Sequence, residues 1–328
     1  MRPITIASGQ FGDMSLESLS SLAEEIGYDG IELATHAHFD VSKAITEKNY
    51  IDAVHKTLED HNLQCYAISA HLTGQCVGDV WDLRLDNFAP RQISGKPEEI
   101  RQWAIEEMKR TAKAASYFGV PVVNGFTGSP LWAWWYSYPQ TTQEMIRHGY
   151  DQIYELWSPI FDEFDRYGVK FALEVHPTEI AFDYYSTQML LDRFDHRPTL
   201  GLNYDPSHLV WQGVNELTFL RDFADRIYHV HIKDVKINRN ERAGMLGSYL
   251  DFGDARRGWN FVSVGHGDVD FDGIIRELNQ MNYHGPLSVE WEDSGMDRTF
   301  GAKESLEYIK QMNFSPSTVA FDAALKAN

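Results

Sequence analysis

Short runs of apolar and β-branched residues alternate along the chain with longer stretches whose apolar positions recur at three- and four-residue steps. The first run, Ile4-Thr5-Ile6-Ala7, predicts a strand, and the stripe Leu16, Leu19, Leu22, Ala23 and Ile26 predicts one face of a helix. Gly27 and Gly30 punctuate the turn into a second strand, Gly30-Ile31-Glu32-Leu33-Ala34. The same alternation predicts strands at 65–70, 121–126, 169–175, 199–204, 227–232 and 287–291. Helical periodicity fills the intervals at 50–62, 97–118, 143–167, 187–194, 217–223 and 271–281, with a last helix at 302–312.

Eight strand–helix pairs over roughly 310 residues match a (β/α)8 TIM barrel, an α/β fold that needs about 250 residues and absorbs more as loop insertions. The excess falls at 74–95, 127–138 and 236–270, each after a strand end, where barrels carry their sites. A doubly wound sheet is the rival, but the first βα turn, Ser8-Gly9-Gln10-Phe11-Gly12, lacks the dinucleotide fingerprint. No low-complexity linker interrupts the pattern. Residues 1–314 therefore read as one barrel domain, and 315–328 as a tail that packs on a neighbour or frays.

The last four predicted strands share an unusual feature. They end in Leu173-Glu174-Val175-His176, Tyr204-Asp205-Pro206-Ser207-His208, His229-Val230-His231-Ile232-Lys233-Asp234 and Val289-Glu290-Trp291-Glu292. Ionisable residues thus follow apolar segments that must be buried, and a closed barrel brings such ends to one rim. Crowded and unpaired they would be costly, and a divalent cation held by Glu174, Asp205, His231 and Glu290 relieves that cost. Three carboxylates and an imidazole suit Mn2+ first, with Mg2+, Co2+ or Zn2+ as alternatives. Singly, each carboxylate has an ordinary reading as a helix cap or ion-pair partner, and a lone His71 or His229 as a hydrogen-bonded core residue. Their coincidence on four strand ends carries the assignment.

Composition narrows the partners. The 29 Lys and Arg against 48 Asp and Glu leave a formal charge of −19 over 328 residues, which disfavours nucleic acid. Cys65 and Cys76 make no disulfide framework, and no run of apolar residues is long enough for a membrane span. The start MRPITIASG lacks the pattern of a secretory signal. The expectation is a cytoplasmic protein with a small-molecule partner and no membrane.

The set Glu174, Asp205-Pro206-Ser207-His208, His231-Ile232-Lys233-Asp234 and Glu290 resembles the xylose-isomerase-like superfamily, in its sugar phosphate isomerase/epimerase branch. Ketose 3-epimerases, inosose dehydratase and hydroxypyruvate isomerase belong to that branch. The resemblance runs from Gly30-Ile31-Glu32-Leu33 to the last helix. It implies one divalent metal on Glu174, Asp205, His231 and Glu290, with Glu174 and Glu290 as paired acid/base groups. It also implies that His208 contacts a substrate oxygen. Lys233 resembles its counterpart in the inosose-dehydratase-like members and departs from the epimerases. A salt bridge from Lys233 to Asp234 or Glu292 is the purely structural alternative.

The implied chemistry is enolisation of a keto-sugar, ending in isomerisation, epimerisation or, as a lyase, β-elimination from a 3-keto-glycoside. Trp132, His71, His176, His266 and Arg257 are the candidate substrate contacts. Trp132 belongs to an aromatic loop with Trp134, Trp135, Tyr136 and Tyr138, suited to stacking on sugar faces or aglycones or to a subunit contact. Arg256 and Arg257 either hold a phosphate or pair locally with Asp251 and Asp254. His266, in Gly265-His266-Gly267-Asp268, is expected to fold over the site as a lid. A homo-oligomer, or a second subunit in the lyase reading, is expected from the exposed aromatics and the tail. An endonuclease-IV-like nuclease, with His36, His38, His71 and His176 as spare ligands, and a barrel that binds sugar without turnover are the remaining alternatives.

Overall fold

The computed structural model describes residues 1–325; of the predicted tail at 315–328, positions 326–328 lie outside the described residues. Strands form at all eight predicted places: Ile4–Ala7 (β1), Gly30–Ala34 (β2), Ala67–Ser69 (β3), Val122–Gly125 (β4), Lys170–Glu174 (β5), Leu200–Tyr204 (β6), Ile227–Ile232 (β7) and Leu287–Val289 (β10). Their residues are almost all buried, because one strand face meets the barrel interior and the other meets helices. Neighbours pair in parallel in chain order, and β10 closes the ring by pairing Leu287 with Ile4 and Val289 with Ile6 of β1. The molecule is a closed (β/α)8 barrel.

Its helices are Leu16–Ile26 (α1), Val41–Thr46 (α2), Tyr50–Asp60 (α3), His71–Gly78 (α4), Pro97–Phe118 (α5), Gln143–Tyr167 (α6), Tyr184–Arg193 (α7), Pro206–Val210 (α8), Glu216–Asp222 (α9), Phe271–Gln280 (α10) and Arg298–Met312 (α11). Helices α5 and α6 have the predicted limits, while α7 and α11 begin three and four residues earlier than their apolar stripes. The cause is capping. Asp183 and Ser186 form a reciprocal box at the start of α7, and Asp297 accepts from Phe300 N at the start of α11. Helix α4, which the sequence pattern does not mark, sits so close to the end of β4 that a Cβ on Gly74 would lie 2.0 Å from the Phe126 carbonyl oxygen.

The loop predicted at 236–270 contains an antiparallel hairpin, Asp234–Ile237 (β8) against Trp259–Val262 (β9). Val235 pairs with Phe261 and Ile237 with Trp259, so these two aromatics share one face of the hairpin. Outside the barrel, Trp157, Phe161 and Phe164 of α6 pack on Phe171 of β5 with ring centroids 4.8–5.8 Å apart. Inside it, Glu32, Asn124, Glu174, Asn203, His229 and His231 form a fully buried polar layer. Among the described residues no helix is long and apolar enough to cross a membrane.

Candidate functional site

Strand register brings the four predicted acids and imidazole together. Glu174 is the last residue of β5, and His231 shares the inward face of β7 with His229, two positions before it. Asp205 follows β6 and caps α8, its Oδ1 accepting from Ser207 N at 2.8 Å and Ser207 Oγ at 2.7 Å. Glu290 follows β10, anchored by its own N–H to Ile232 O at 3.1 Å. One donor atom from each lies within 4.8 Å of the others. His231 Nδ1 is 3.1 Å from Glu174 Oε2 and 3.2 Å from Glu290 Oε2.

The partners of these groups explain which atoms remain free. His231 Nε2 faces both oxygens of Glu32 at 3.2 Å, and Glu32 also meets His229 Nε2 at 2.7 Å and accepts from Asn124 Nδ2 at 2.8 Å. An anionic acceptor at Nε2 keeps a proton there, so in the neutral ring it is the Nδ1 lone pair that faces the carboxylates. His231 Nδ1, Asp205 Oδ2 and His208 Nε2 are all buried and make no well-aligned hydrogen bond, with ionisable neighbours at 3.0–3.5 Å. His208 Nε2 stands 3.3 Å from Glu174 Oε1 and 3.5 Å from Asp205 Oδ2. Carboxylates converging in this way need positive charge among them, which Lys233 Nζ, 3.0 Å from Asp205 Oδ2 and 2.7 Å from Glu290 Oε2, supplies in part. The donor set therefore fits a divalent cation held by Glu174, Asp205, His231 and Glu290.

The protein's own charges answer the same field. Burial opposes a charge on His231, but Glu32 and Glu290 outweigh it and hold the imidazole well above its usual range. Burial also opposes ionisation of Glu174, yet contacts with His208, His231 and His71 hold it well below the usual carboxylate range. Lys233 Nζ lies 2.7 Å from Glu290 Oε2, 3.0 Å from Asp205 Oδ2 and 3.7 Å from Glu292 Oε2. These acids outweigh the burial of its ammonium and keep it charged.

A model of the xylose isomerase-like TIM barrel family matches residues 21–312. The chain belongs to that family. Its similarity to individual proteins varies in extent. YfiH, an uncharacterized protein of Bacillus subtilis (strain 168), is 25% identical over 323 residues, 94% of this chain and 98% of its own. The inosose dehydratase of Clostridium perfringens (strain 13 / Type A) is 31% identical over 125 residues, 38% of this chain and 41% of that protein. The match thus spans under half of that dehydratase. The solved structure of 3-keto-D-glucoside 4-epimerase, YcjR, from E. coli has a TM-score of 0.67 at 17% identity, covering 95% of this chain and 100% of that one. That likeness shows a shared fold.

Within this xylose isomerase-like barrel the remaining predicted residues divide. His71 joins the cluster, its Nε2 3.0 Å from Glu174 Oε2 and its Nδ1 2.9 Å from Ser69 Oγ. His176 packs 4.0 Å from the His208 ring, and burial followed by that neighbour keeps it well below its usual range, hence neutral. Trp132 is placed elsewhere: it stacks on Trp135 and meets Phe182 edge-on in a separate cavity of about 580 Å3. Arg257 lines neither of the two cavities at the cluster. Its guanidinium lies over Phe252 and Trp259, and Nη1 donates to Leu250 O at 2.6 Å, so it braces the loop from behind. Arg256 pairs with Asp254. His266 lies away from the cluster in this structure, its Nε2 2.9 Å from Glu304 Oε2. The turn carrying it wraps the Asp234 carboxylate, which accepts from the N–H groups of Gly265, Gly267 and Val269, and this aims His266 toward α11. Asp234, so occupied, is not the partner of Lys233.

Sequence reasoning missed Glu32 and Gln10. Glu32 carried a visible signal, a single acid inside an apolar strand. Gln10 Nε2 donates to Glu290 Oε1 at 2.9 Å and comes 3.4 Å from Glu292 Oε1, which no periodicity foretells. Two cavities meet at this point. A polar well of about 390 Å3 is lined by Glu32, His36, His71, Glu174, His231, Lys233 and Glu290. An adjoining chamber of about 820 Å3 is lined by His208, Trp211, Phe252, Trp259, Phe261 and Trp291. Gln10, His176 and Glu292 line both.

A buried acid beyond the cluster gives a pH prediction. Glu179 Oε2 accepts from Thr127 N at 2.8 Å and Gly128 N at 2.6 Å, tying down the aromatic loop, and Thr178 Oγ1 is 3.2 Å from its Oε1. Burial, then nearby Asp79, pushes this carboxyl up to about 8 from an ordinary 4.5. Between those values the unfolded chain releases the proton and the folded chain keeps it, so stability falls as pH rises through the window and the loss is complete above it. Glu179→Gln, whose amide oxygen still accepts both N–H bonds, is expected to raise Tm by a few degrees at pH 9 and to leave it unchanged at pH 4. Equal Tm shifts at both pH values would show that Glu179 does not titrate in this window.

Proposed function

We propose that this barrel catalyses metal-dependent enolisation of a keto-sugar, removing the proton beside the carbonyl and returning it to give an isomer or epimer. The observation that carries the reading is the convergence of one donor atom each from Glu174, Asp205, His231 and Glu290 within 4.8 Å of one another. Glu174, Asp205, His231 and Glu290 would hold one divalent ion, Mn2+ first among Mg2+, Co2+ and Zn2+. Such an ion withdraws electron density from a bound carbonyl and makes the neighbouring C–H more acidic. Glu174 on β5 and Glu290 after β10 reach His231 of β7 from opposite sides along the barrel and act as the pair that takes and returns the proton. Lys233 outweighs the burial of Glu290 and holds it below the usual carboxylate range, so it is ionised and ready to accept. His208 and Lys233 orient substrate oxygens.

One observation favours a second reading, loss of an oxygen leaving group as in a dehydratase or a 3-keto-glycoside lyase. The Lys233 ammonium stands 2.7 Å from Glu290, so a proton donor for a departing oxygen lies beside the base. The likeness to an inosose dehydratase supports this reading, and the family's epimerases support the first. A nuclease is disfavoured, because Lys233 is the single Lys or Arg among the described residues lining the two cavities and three carboxylates surround it. The reading includes a cytoplasmic setting, in keeping with free Cys65 and Cys76, and a homo-oligomer that covers exposed Trp135, Tyr136 and Tyr138.

The test is to incubate the Mn2+-loaded protein in D2O with a panel of ketoses and 3-keto-glycosides and follow each carbon by NMR. Deuterium is expected at a carbon next to the carbonyl, and a chelator is expected to stop it. Absence of exchange across the panel, or exchange that survives metal removal, would overturn the reading.

A further inference from the structure

The polar well and the aromatic chamber differ in chemistry yet share Gln10, His176 and Glu292 as a common wall. The well is lined by acids, imidazoles and one ammonium, groups that grip hydroxyls and a carbonyl. The chamber has about twice its volume, 820 against 390 Å3, room for a group beyond the sugar ring that the well would take.

The chamber's aromatic wall is a built feature. The β8–β9 register sets Trp259 and Phe261 on one face. Trp211 stacks flat on Trp259 with centroids 4.4 Å apart and planes 9° from parallel, while Phe252 stacks on Phe261 at 5.8 Å and 18°. Hydrogen bonds lock the indoles: Trp259 Nε1 donates to Met245 O at 2.8 Å and Trp291 Nε1 to Ser263 Oγ at 3.0 Å. Arg257 backs Phe252 and Trp259, as described above. Phe252, 61% exposed, forms the outer lip.

Charge selects further. Lys233 is the one Lys or Arg lining either cavity among the described residues, and Asp205, Glu290 and Glu292 surround it. Glu292 and Asp293 reach the chamber's wall as well. Among the described residues no arginine or free ammonium lines either cavity to meet a phosphate or carboxylate, and the acids repel one.

We propose that the substrate is an uncharged aryl glycoside in its keto form, with the oxidised sugar ring in the well and the flat apolar aglycone in the chamber. This rests on the keto-sugar reading above and names its substrate class. Stacking on Phe252 and Phe261 buries the aglycone ring, and the sugar's polar edge stays with Gln10, His176 and Glu292.

The test measures binding of phenyl, methyl and 4-carboxyphenyl 3-keto-β-D-glucoside to the Mn2+-loaded protein by calorimetry. The phenyl compound is expected to bind at least about tenfold more tightly than the methyl compound and than the carboxylated one. Phe252→Ala, a change at an exposed lip that the core does not need, is expected to shrink the phenyl preference severalfold. Equal affinities for phenyl and methyl compounds, or no detectable binding of the phenyl compound, overturn the proposal, as does an undiminished preference in Phe252→Ala. Deuterium exchange into free ketoses reads the enolisation separately, so a failure of the chamber and a failure of the chemistry are told apart.

Discussion

Glu290→Gln is expected to lower the rate of substrate deuterium exchange by roughly 10^3-fold or more at saturating Mn2+, while the barrel stays folded. The backbone at this position is held by the Glu290 N–H to Ile232 O bond, which the substitution leaves intact. The amide has nearly the volume of the carboxylate and keeps an oxygen for Gln10 Nε2 or Lys233 Nζ, which meet the native side chain at 2.9 and 2.7 Å. What it lacks is a proton acceptor. It also lacks a negative charge for the cation, and the two losses are separated by measuring bound Mn2+ alongside exchange. Metal content restored by excess Mn2+ with exchange still absent assigns Glu290 to proton transfer. Exchange restored together with the metal would leave Glu290 as a ligand only and move the proton chemistry to Glu174.

The barrel and the convergence of four side chains were legible in the sequence for the same physical reason: strands have a period of two and a fixed exit. An acid or histidine at the carboxyl end of a buried strand has one place to go, so Glu174, Asp205, His231 and Glu290 converge as their positions predict. Loop residues lack that constraint. His266 was misplaced because the Gly265–Gly267 turn is organised around the Asp234 carboxylate, an interaction between groups whose proximity periodicity does not encode. Arg257 is a brace because Phe252 of the β8–β9 connection and Trp259 of β9 meet its guanidinium, in a hairpin that the Gly- and Asp-rich stretch concealed. Trp132 lies over Phe182, beyond β5, rather than over the barrel mouth. Glu32 is the instructive omission. Its strand had been identified and its charge stood out, but its partners, His229 and His231, arrive from almost two hundred residues away.

Glu32→Gln is expected to weaken Mn2+ binding by about 10–100-fold although Glu32 is not itself a proposed ligand. Three donors, His229 Nε2, His231 Nε2 and Asn124 Nδ2, converge on its two oxygens in the buried layer. Glutamine offers one acceptor oxygen and adds an NH2 that confronts another donor. Relief comes most directly if His231 moves its proton to Nδ1, and that withdraws the lone pair facing Glu174 and Glu290. Chelator competition reads the affinity, and 15N NMR of His231 reads the tautomer. Glu32→Ala removes the acceptor outright and is expected to cost on the order of 3–5 kcal/mol of stability by denaturant titration. The ordering has a pH signature in the metal-free protein. Burial opposes ionisation of Glu32, but the charges of His231 and then His229 outweigh it and hold the carboxyl well below 4.5, so its stabilisation is present above that pH and fades as acid lowers the pH through the depressed folded value. Unchanged Mn2+ affinity in Glu32→Gln, with the His231 proton still on Nε2, would show that the buried carboxylate supports the fold and has no hold on the metal.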